Sequence, residues 1–338
     1  IDRNGIVQMT YAYTTDLKYV TFQENNFISN QVYPVSKINE YGIPDRMKID
    51  RYELIHDENG KLIKKMYMSG VNYVYDDMGV AGERYEYDTK GRLISIHYIN
   101  RDEEDIDNRG GIHGLTLEYN DLGEGVVRSY INKNYENTYS KGGYSKVKYK
   151  RERNTVTYTY TDTEGNPIIN SQGYAIEKDE LNKDMLPSEI SYYGKDGSVA
   201  FSMEGYHKEK YKYNNKGDII EMSFYNEKEK LIIQSGGYAI KRMEKDSNGN
   251  ILKEEFLGSD NREMLLKNKA CTIIRSYNKG GYLIDESYYG IGNKPIYTVE
   301  GYHGFKNEYD TKNRLISSQY YGLDDKKSYN RKGYHKII

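Results

Sequence analysis

From Ile219 to Tyr225 apolar and polar side chains alternate. Ile220, Met222 and Phe224 share one side of an extended chain, and Ile219, Glu221 and Ser223 the other. The same alternation returns along the chain. A β-branched or aliphatic position recurs at Ile63, Ile94, Val126, Val156, Ile220, Leu252, Ile284 and Ile316, and each run ends on an aromatic residue. Those aromatics are Tyr67, Tyr98, Tyr130, Tyr160, Phe224, Phe256, Tyr288 and Tyr320, and Tyr192 holds the same place in the copy where Pro187 makes the run irregular. This is the pattern of a half-buried strand, repeated.

A second marker sets the period. Gly-Tyr recurs at Gly143-Tyr144, Gly173-Tyr174, Gly205-Tyr206, Gly237-Tyr238, Gly301-Tyr302 and Gly333-Tyr334, while Ile49, Val80, Ile112 and Ala270 hold the tyrosine position in the other copies. Successive spacings are 31, 32, 32, 30, 32, 32, 32, 32 and 32 residues. The aromatic column lies eighteen residues past this anchor, shifted by two in the shorter copy that begins at Tyr144. Another tyrosine column, Tyr87, Tyr119, Tyr213, Tyr277 and Tyr309, lies seven past it.

Directly after that column comes a turn signature, from Asp57 to Gly60, Asp88 to Gly91, Asn120 to Gly123, Asn214 to Gly217, Asp246 to Gly249, and from Asp310 onward with Asn313 in the last place. An Asp or Asn at the first position bonds its own backbone two residues on, and Gly at the fourth accepts positive φ. This is a hairpin connection with a bulge. A second turn follows the aromatic pair, as in Tyr193 to Gly197. Each unit therefore reads as two strands of about eight residues and two turns, with room for a short third strand near Leu231 to Gln234. The predicted fold is all-β: an elongated tandem array of stacked hairpins, solenoid- or spiral-like. A lone hairpin is marginal in water, but stacked hairpins cover one another's edges and align like aromatics.

Composition sharpens this picture. The chain has 338 residues and 39 tyrosines, no Trp and only six Phe. Without tyrosine the apolar fraction falls to about a quarter, below that of ordinary globular domains. Tyrosine suits a thin array because its ring packs while its hydroxyl reaches water or a backbone carbonyl. No composition break or linker is visible, so residues 1–338 read as a single repeat domain that starts and ends within repeats. Residues 14–48 read as a degenerate copy or insertion.

Charge and missing features narrow the chemistry. Lys+Arg number 49 against 51 Asp+Glu, so no broad field favours nucleic acid or an anionic membrane. No apolar run exceeds three residues, which leaves no segment suited to membrane insertion. Cys271 is the single cysteine, so an internal disulfide framework and a cysteine-cluster metal site do not arise. No glycine-rich phosphate loop precedes a helix, and no cofactor is expected.

The segments Glu83 to Tyr98 (ERYEYDTKGRLISIHY) and Asn307 to Tyr321 (NEYDTKNRLISSQYY) resemble the Tyr-Asp repeats of Rhs proteins, insecticidal Tc toxins and teneurins. The shared core is Tyr-Asp-x-x-Gly-Arg-Leu, present as Tyr87, Asp88, Gly91, Arg92 and Leu93, and as Tyr309, Asp310, Arg314 and Leu315 with Asn313 in place of Gly. The resemblance implies β-hairpin spirals, often a hollow shell, on secreted or surface proteins. The 32-residue unit is longer than the usual one and is also similar to tyrosine-rich tandem repeats of bacterial surface proteins.

Candidate reactive residues fit the repeat better than a catalytic site. Four histidines, His113, His207, His303 and His335, share one column with Ala81, Ser145, Ala175, Ala239 and Cys271. A column open to Ala, Ser and Cys is a packing slot. Neighbouring copies should stand about 10 Å apart, too far to share a metal. His56 and His97 show no partner in the sequence. Cys271 lacks a recurring base. The Asp-x-x-Gly turns carry too few acidic residues for calcium, and the acidic run from Arg101 to Asp107 reads as a solvated loop. No metal site and no enzymatic activity are expected. The expected role is a binding, adhesion or stalk module outside the cytoplasm, at the bacterial surface or secreted, whose partners are glycans, a surface or host protein, or other domains of a longer chain. A shell segment of a larger secreted toxin is the alternative that the resemblance implies.

Overall fold

The computed structural model describes residues 9–13, 19–24, 49, 51–311 and 314–338. Every regular element among them is a β-strand, and the strands form tandem antiparallel hairpins, as the period predicts. Most of the 14–48 stretch falls outside the described residues. The strand Tyr19–Glu24 within it pairs with Met9–Tyr13 and with Arg51–His56.

The copy that begins at Tyr206 shows how the sequence builds one repeat. Its first strand, Lys208–Tyr213, pairs with its return strand, Ile219–Tyr225. Between them the Gly217 amide donates to the Asn214 carbonyl at 3.0 Å, and Gly217 sits at φ +83°. Asn214 Oδ1 accepts from the amides of Lys216 and Asp218 at 2.9 and 3.0 Å. The turn leaves an extra residue, which appears as a register shift between Lys212 and Tyr213. The same shift precedes the turn at Glu86/Tyr87, Glu118/Tyr119, Glu244/Lys245 and Ser276/Tyr277. The copy two residues short closes differently. Glu152 pairs directly with Thr155 around Arg153 at φ +54°, so its register runs without a bulge.

The return strand then pairs with the first strand of the next copy, Ser223 opposite Ile240. This connection holds a third turn where two per unit were expected. After the second turn, from Asn226 to Glu229, the chain folds back through a single bridge between Tyr225 and Leu231. The third strand expected near Leu231 is this one bridge; the folded-back segment forms a two-residue strand at Asn72–Tyr73 and at Lys294–Pro295. The third turn closes with Gly237 N donating to Gln234 O at 2.8 Å. The Gly of each Gly-Tyr pair is thus the left-handed residue of this turn, with Gly237 at φ +91°. Where Gly is missing, Lys269 takes the same conformation at φ +72°.

Both faces of the sheet are covered near the end of the return strand. Phe224 and Ser223 are both buried, so the expectation of a half-buried strand fails there. One face carries clusters such as Phe256, Ala270, Ile273 and Tyr288 with Tyr238, Leu266, Ile296 and Tyr302 packed against them. The other carries Ala239, Ile240 and Leu257 with Leu231. The folded-back third segment supplies the cover that the alternation alone could not show. Contacts divide the described chain into two compact units, residues 9–178 with 193–198, and Asp179–Tyr192 with Val199–Ile338.

Candidate functional site

The aromatic column of the return strands does not stack on itself. Within each unit Tyr144, Tyr206, Tyr238 and Tyr302, the tyrosines of Gly-Tyr pairs, insert between successive members. In the first unit Tyr130, Tyr144, Tyr160 and Tyr174 follow one another with ring centroids 5.9, 4.8 and 5.7 Å apart. In the second, Tyr192, Tyr206, Phe224, Tyr238 and Phe256 stand 5.9, 4.7, 5.8 and 5.0 Å apart. Tyr288, Tyr302 and Tyr320 continue at 6.1 and 4.5 Å, after Ala270 interrupts the series beside Phe256 and Tyr288. Tyr67 packs with Ile49 and Val80, and Tyr98 against that cluster. These tilted and edge-on contacts are the preferred aromatic geometries.

Buried hydroxyls of the ladder meet carboxylates. Tyr67 donates to Glu83 at 2.6 Å, Tyr174 to Glu177 at 2.8 Å and Tyr192 to Glu209 at 2.5 Å. Where the ring is Phe256, the residue in the carboxylate's place is Ile273. Burial, and then Glu83 beside it, pushes the Tyr67 hydroxyl far above its ordinary value. Burial also opposes ionisation of Glu83, but Lys65 and the hydroxyls of Tyr67 and Tyr85 outweigh it and hold the carboxyl low.

The second tyrosine column joins repeats through the backbone. Tyr87 donates to Leu62 O at 2.8 Å, Tyr119 to Leu93 O at 2.6 Å, Tyr213 to Pro187 O at 2.5 Å, Tyr277 to Ile251 O at 3.1 Å and Tyr309 to Leu283 O at 2.8 Å. The turn residues beside them are local caps. Asp57 Oδ1 accepts from Asn59 N and Lys61 N at 2.9 and 2.8 Å, and Asp246 Oδ1 from Asn248 N and Asn250 N at 2.8 and 2.9 Å. Asp88 and Asp310 also take the guanidinium Nε of Arg92 and Arg314, at 2.7 and 2.6 Å. Gly60, Gly91, Gly123 and Gly249 all hold positive φ.

In the histidine column His113, His207 and His303 are buried and His335 is half-buried, and the buried three do more than fill space. His113, His207 and His303 each place Nδ1 at 2.9–3.0 Å from the carbonyl seven residues upstream, on Ile106, Ala200 and Ile296. Ala81, Ala175, Ala239 and Cys271 are fully buried at the equivalent positions. Burial pushes the Cys271 thiol up, away from the reactive thiolate.

One place breaks the symmetry, and sequence reasoning missed it. His97, read as partnerless, lies with Nδ1 3.2 Å from His113 Nε2, and its own Nε2 is 2.8 Å from Ser95 Oγ. The column of His97 is serine at Ser129, Ser191, Ser223 and Ser287 and Met66, Thr159, Glu255 or Gln319 elsewhere, so this histidine belongs to no repeating set. Ser95 Oγ donates to Glu86 at 2.7 Å. Asp105 Oδ2 stands 3.6 Å from His113 Nε2, and Asp105 is held by Arg84 and the Tyr135 hydroxyl, each at 2.5 Å. Tyr135, at φ +63°, lays its ring 5.3 and 5.4 Å from the two imidazoles. The acidic run is thus not simply solvated: Asp105 joins this cluster, Ile106 O binds His113, and Asp107 accepts the Lys133 amide at 2.7 Å. Burial, and then His113 and Arg84, depress the basicity of His97 against a partial opposing pull from Glu86.

Two surface features complete the inventory. The residue before the third turn is a large, part-exposed apolar side chain in copy after copy: Tyr139 and Ile169 in one unit, and Phe201, Ile233, Leu265, Tyr297 and Tyr329 in the other, 41–53% exposed. The ladder rings, by contrast, are buried or half-buried. A cavity of about 440 Å³ is lined by Val74, Tyr75, Arg101, Asp107 and Arg109, with the Arg101 guanidinium 4.5 Å above the Tyr75 ring. Among the described residues no group of three His, Cys, Asp or Glu side chains is arranged to hold a metal ion, and no helix is long and apolar enough to cross a membrane.

No family model matches the chain, and no curated protein matches it. Among solved structures it is similar to the TcdB2-TccC3-TEV crystal structure, at 13% identity and TM-score 0.41, covering 93% of this chain and 14% of that one. It is also similar to TcdB2-TccC3-Cdc42, at 10% identity and TM-score 0.31, covering 96% of this chain and 20% of that one. The chain spans a fifth or less of the length of these solved chains.

Proposed function

We propose that this chain is a non-enzymatic scaffold segment of a larger bacterial protein outside the cytoplasm. The observation that supports it best is the bond from a tyrosine hydroxyl of one repeat to a backbone carbonyl of the repeat before, made five times over. In the Tyr-Asp-x-x-Gly-Arg-Leu motif this gives each polar residue a structural task. Tyr87 ties to the preceding copy, Asp88 caps the turn, Gly91 takes positive φ, and Arg92 returns to Asp88 and stacks 4.5 Å above Tyr119 of the next copy. Side chains spent on joining repeats leave little for catalysis, and the motif's resemblance to secreted Tyr-Asp repeats agrees with a structural role.

Distributed binding of a glycan or a surface protein is the second reading. The recurring apolar column from Phe201 to Tyr329 favours it, because one modest contact per repeat gains strength by avidity. Titration calorimetry against polymeric and monomeric glycans, using the chain and fragments of three and six repeats, separates the two. The scaffold reading expects no saturable heat. Distributed binding expects polymer affinity to rise with repeat number while the monomer's affinity per site stays flat. One tight site confined to a single copy contradicts both.

A further inference from the structure

Proton bookkeeping around His97 leads to a property that the repeat does not require. The Ile106 carbonyl only accepts, so His113 Nδ1, 2.9 Å away, carries a hydrogen. A neutral His113 then presents a bare Nε2 to His97 Nδ1 at 3.2 Å, and the contact is a bond only if His97 Nδ1 carries a hydrogen too. A neutral His97 is then bare at Nε2 and needs the Ser95 hydroxyl proton at 2.8 Å. Ser95 is also 2.7 Å from the Glu86 carboxylate, and it has one proton for two acceptors.

With both imidazoles neutral, therefore, one link in the chain Ile106–His113–His97–Ser95–Glu86 is open. The exposed end, Glu86, has a side chain 54% accessible and turns to water. One added proton on His97 Nε2 closes every link: Nε2–H donates to Ser95, and Ser95 donates to Glu86. The resulting imidazolium sits on a residue 2% exposed, so closing the relay places a charge where water does not reach. The groups facing the pair are Arg84 and Glu86 on the preceding strand, Ser95 on its own strand, Asp105 on the folded-back segment and Tyr135 from the next copy. Arg84 is already committed to Asp105 and opposes the new charge; Glu86 at 3.5 Å favours it.

We propose that the His97–His113 pair is a proton-sensitive joint, whose protonation from solvent through Glu86 and Ser95 loosens the pairing of strands Leu93–Ile99 and Gly114–Tyr119 and the segment between them. The depressed basicity of His97 agrees in sign. A histidine held below its ordinary 6.5 in the fold contributes stability above that pH and loses it as pH falls through the lower, folded value. The joint is tight at neutral pH and weak in mild acid. No equivalent exists at Ser223–Ala239 or Ser191–His207, where the serine column is unmodified.

The test is hydrogen exchange on the full chain, corrected for intrinsic pH dependence, together with nitrogen NMR of the histidine rings. Between pH 7.5 and pH 5, amides of residues 93–119 are expected to lose protection several-fold while those of residues 219–245 do not. The ring spectra should show His113 as the Nδ1–H tautomer and His97 titrating below 6.5. The variant His97→Gln, which bonds without titrating, should remove the pH response. Unchanged protection of residues 93–119 in acid, or a response that persists in His97→Gln, overturns the proposal. If His97→Gln fails to fold, the ring titration of the unaltered chain decides alone, and a His97 that titrates at or above 6.5 overturns it. Protection of this segment by equimolar zinc chloride at neutral pH would also overturn it, since the pair would then be a metal site.

Discussion

Residues 206–257 and 80–131 carry the same backbone and differ in the side-chain slots beside Leu257 and Ile131. In the first, Phe224 N donates to Ala239 O at 3.0 Å and Ala239 N to Leu257 O at 2.8 Å. In the second, Tyr98 N donates to His113 O at 2.6 Å and His113 N to Ile131 O at 2.7 Å. Yet where the first packs Leu231, Ala239 and Ile240 beside Leu257, the second has Asp105, His113 and Gly114 beside Ile131. Gly114 permits the close approach of the two strands here, because a Cβ there would meet the Ile96 carbonyl at 2.0 Å. The difference teaches that turns and backbone bonds set the fold, while the side-chain slots can turn from apolar to ionisable without altering it.

Base should break both regions at once, with the largest effect. Buried or half-buried ladder tyrosines, Tyr98 and Tyr130 in one region and Tyr206 and Tyr238 in the other, are held above their ordinary value of 10.0, first by burial and with neighbouring carboxylates or rings adding to it. A group raised in the fold contributes fully below its unfolded value and loses that contribution as pH rises toward the folded one. Stability should fall steeply above pH 10, with tyrosinate absorbance appearing in step with loss of the strand signal in circular dichroism. Gradual ionisation without unfolding would contradict the packing described.

Substitutions sharpen the comparison further. Phe224→Ala, in the first of these regions, should cost about 3–5 kcal/mol by urea denaturation. His207→Ala should cost about 1 kcal/mol, the net value of its bond to Ala200, because alanine already fills that slot elsewhere. Gly114→Ala should cost about 1–3 kcal/mol through the clash with Ile96. Tyr192→Phe should cost about 1–2 kcal/mol by leaving the buried Glu209 short of a donor. Adding Glu209→Ile, which imitates the pairing of Phe256 with Ile273, should restore most of that loss. No recovery in the double variant would show that ring and carboxylate slots are not matched pairs.

How much was legible in the sequence follows from what repeats. The aromatic columns, the Asp-x-x-Gly turn and the strand alternation return every 32 residues, and the hairpin array could be read from them. The third turn carries a signal of its own, an Asp, Asn, Ser or Thr three residues before the glycine in most copies, such as Asp76, Asn108, Asn170 and Asn330, but its glycine doubles as the period marker and masks the turn. The inserted tyrosine was hidden by the same label. His97 was invisible for the opposite reason: it stands alone in a variable column, serine in four copies, and its partner sixteen residues on is brought close by the register that sets His97 opposite Gly114. Periodicity reveals the scaffold and conceals the exceptions.

The central claim is that the repeat, and not any particular set of side chains, is the unit of stability. Deleting residues 207–238 joins Tyr206 to Ala239 and recreates a natural Gly-Tyr-Ala junction in register. Urea denaturation of this variant should show one cooperative β transition with a midpoint near that of the full chain, since each repeat contacts only its neighbours. A chain unfolded by that deletion, or equally tolerant of losing residues 207–222 alone, would contradict it.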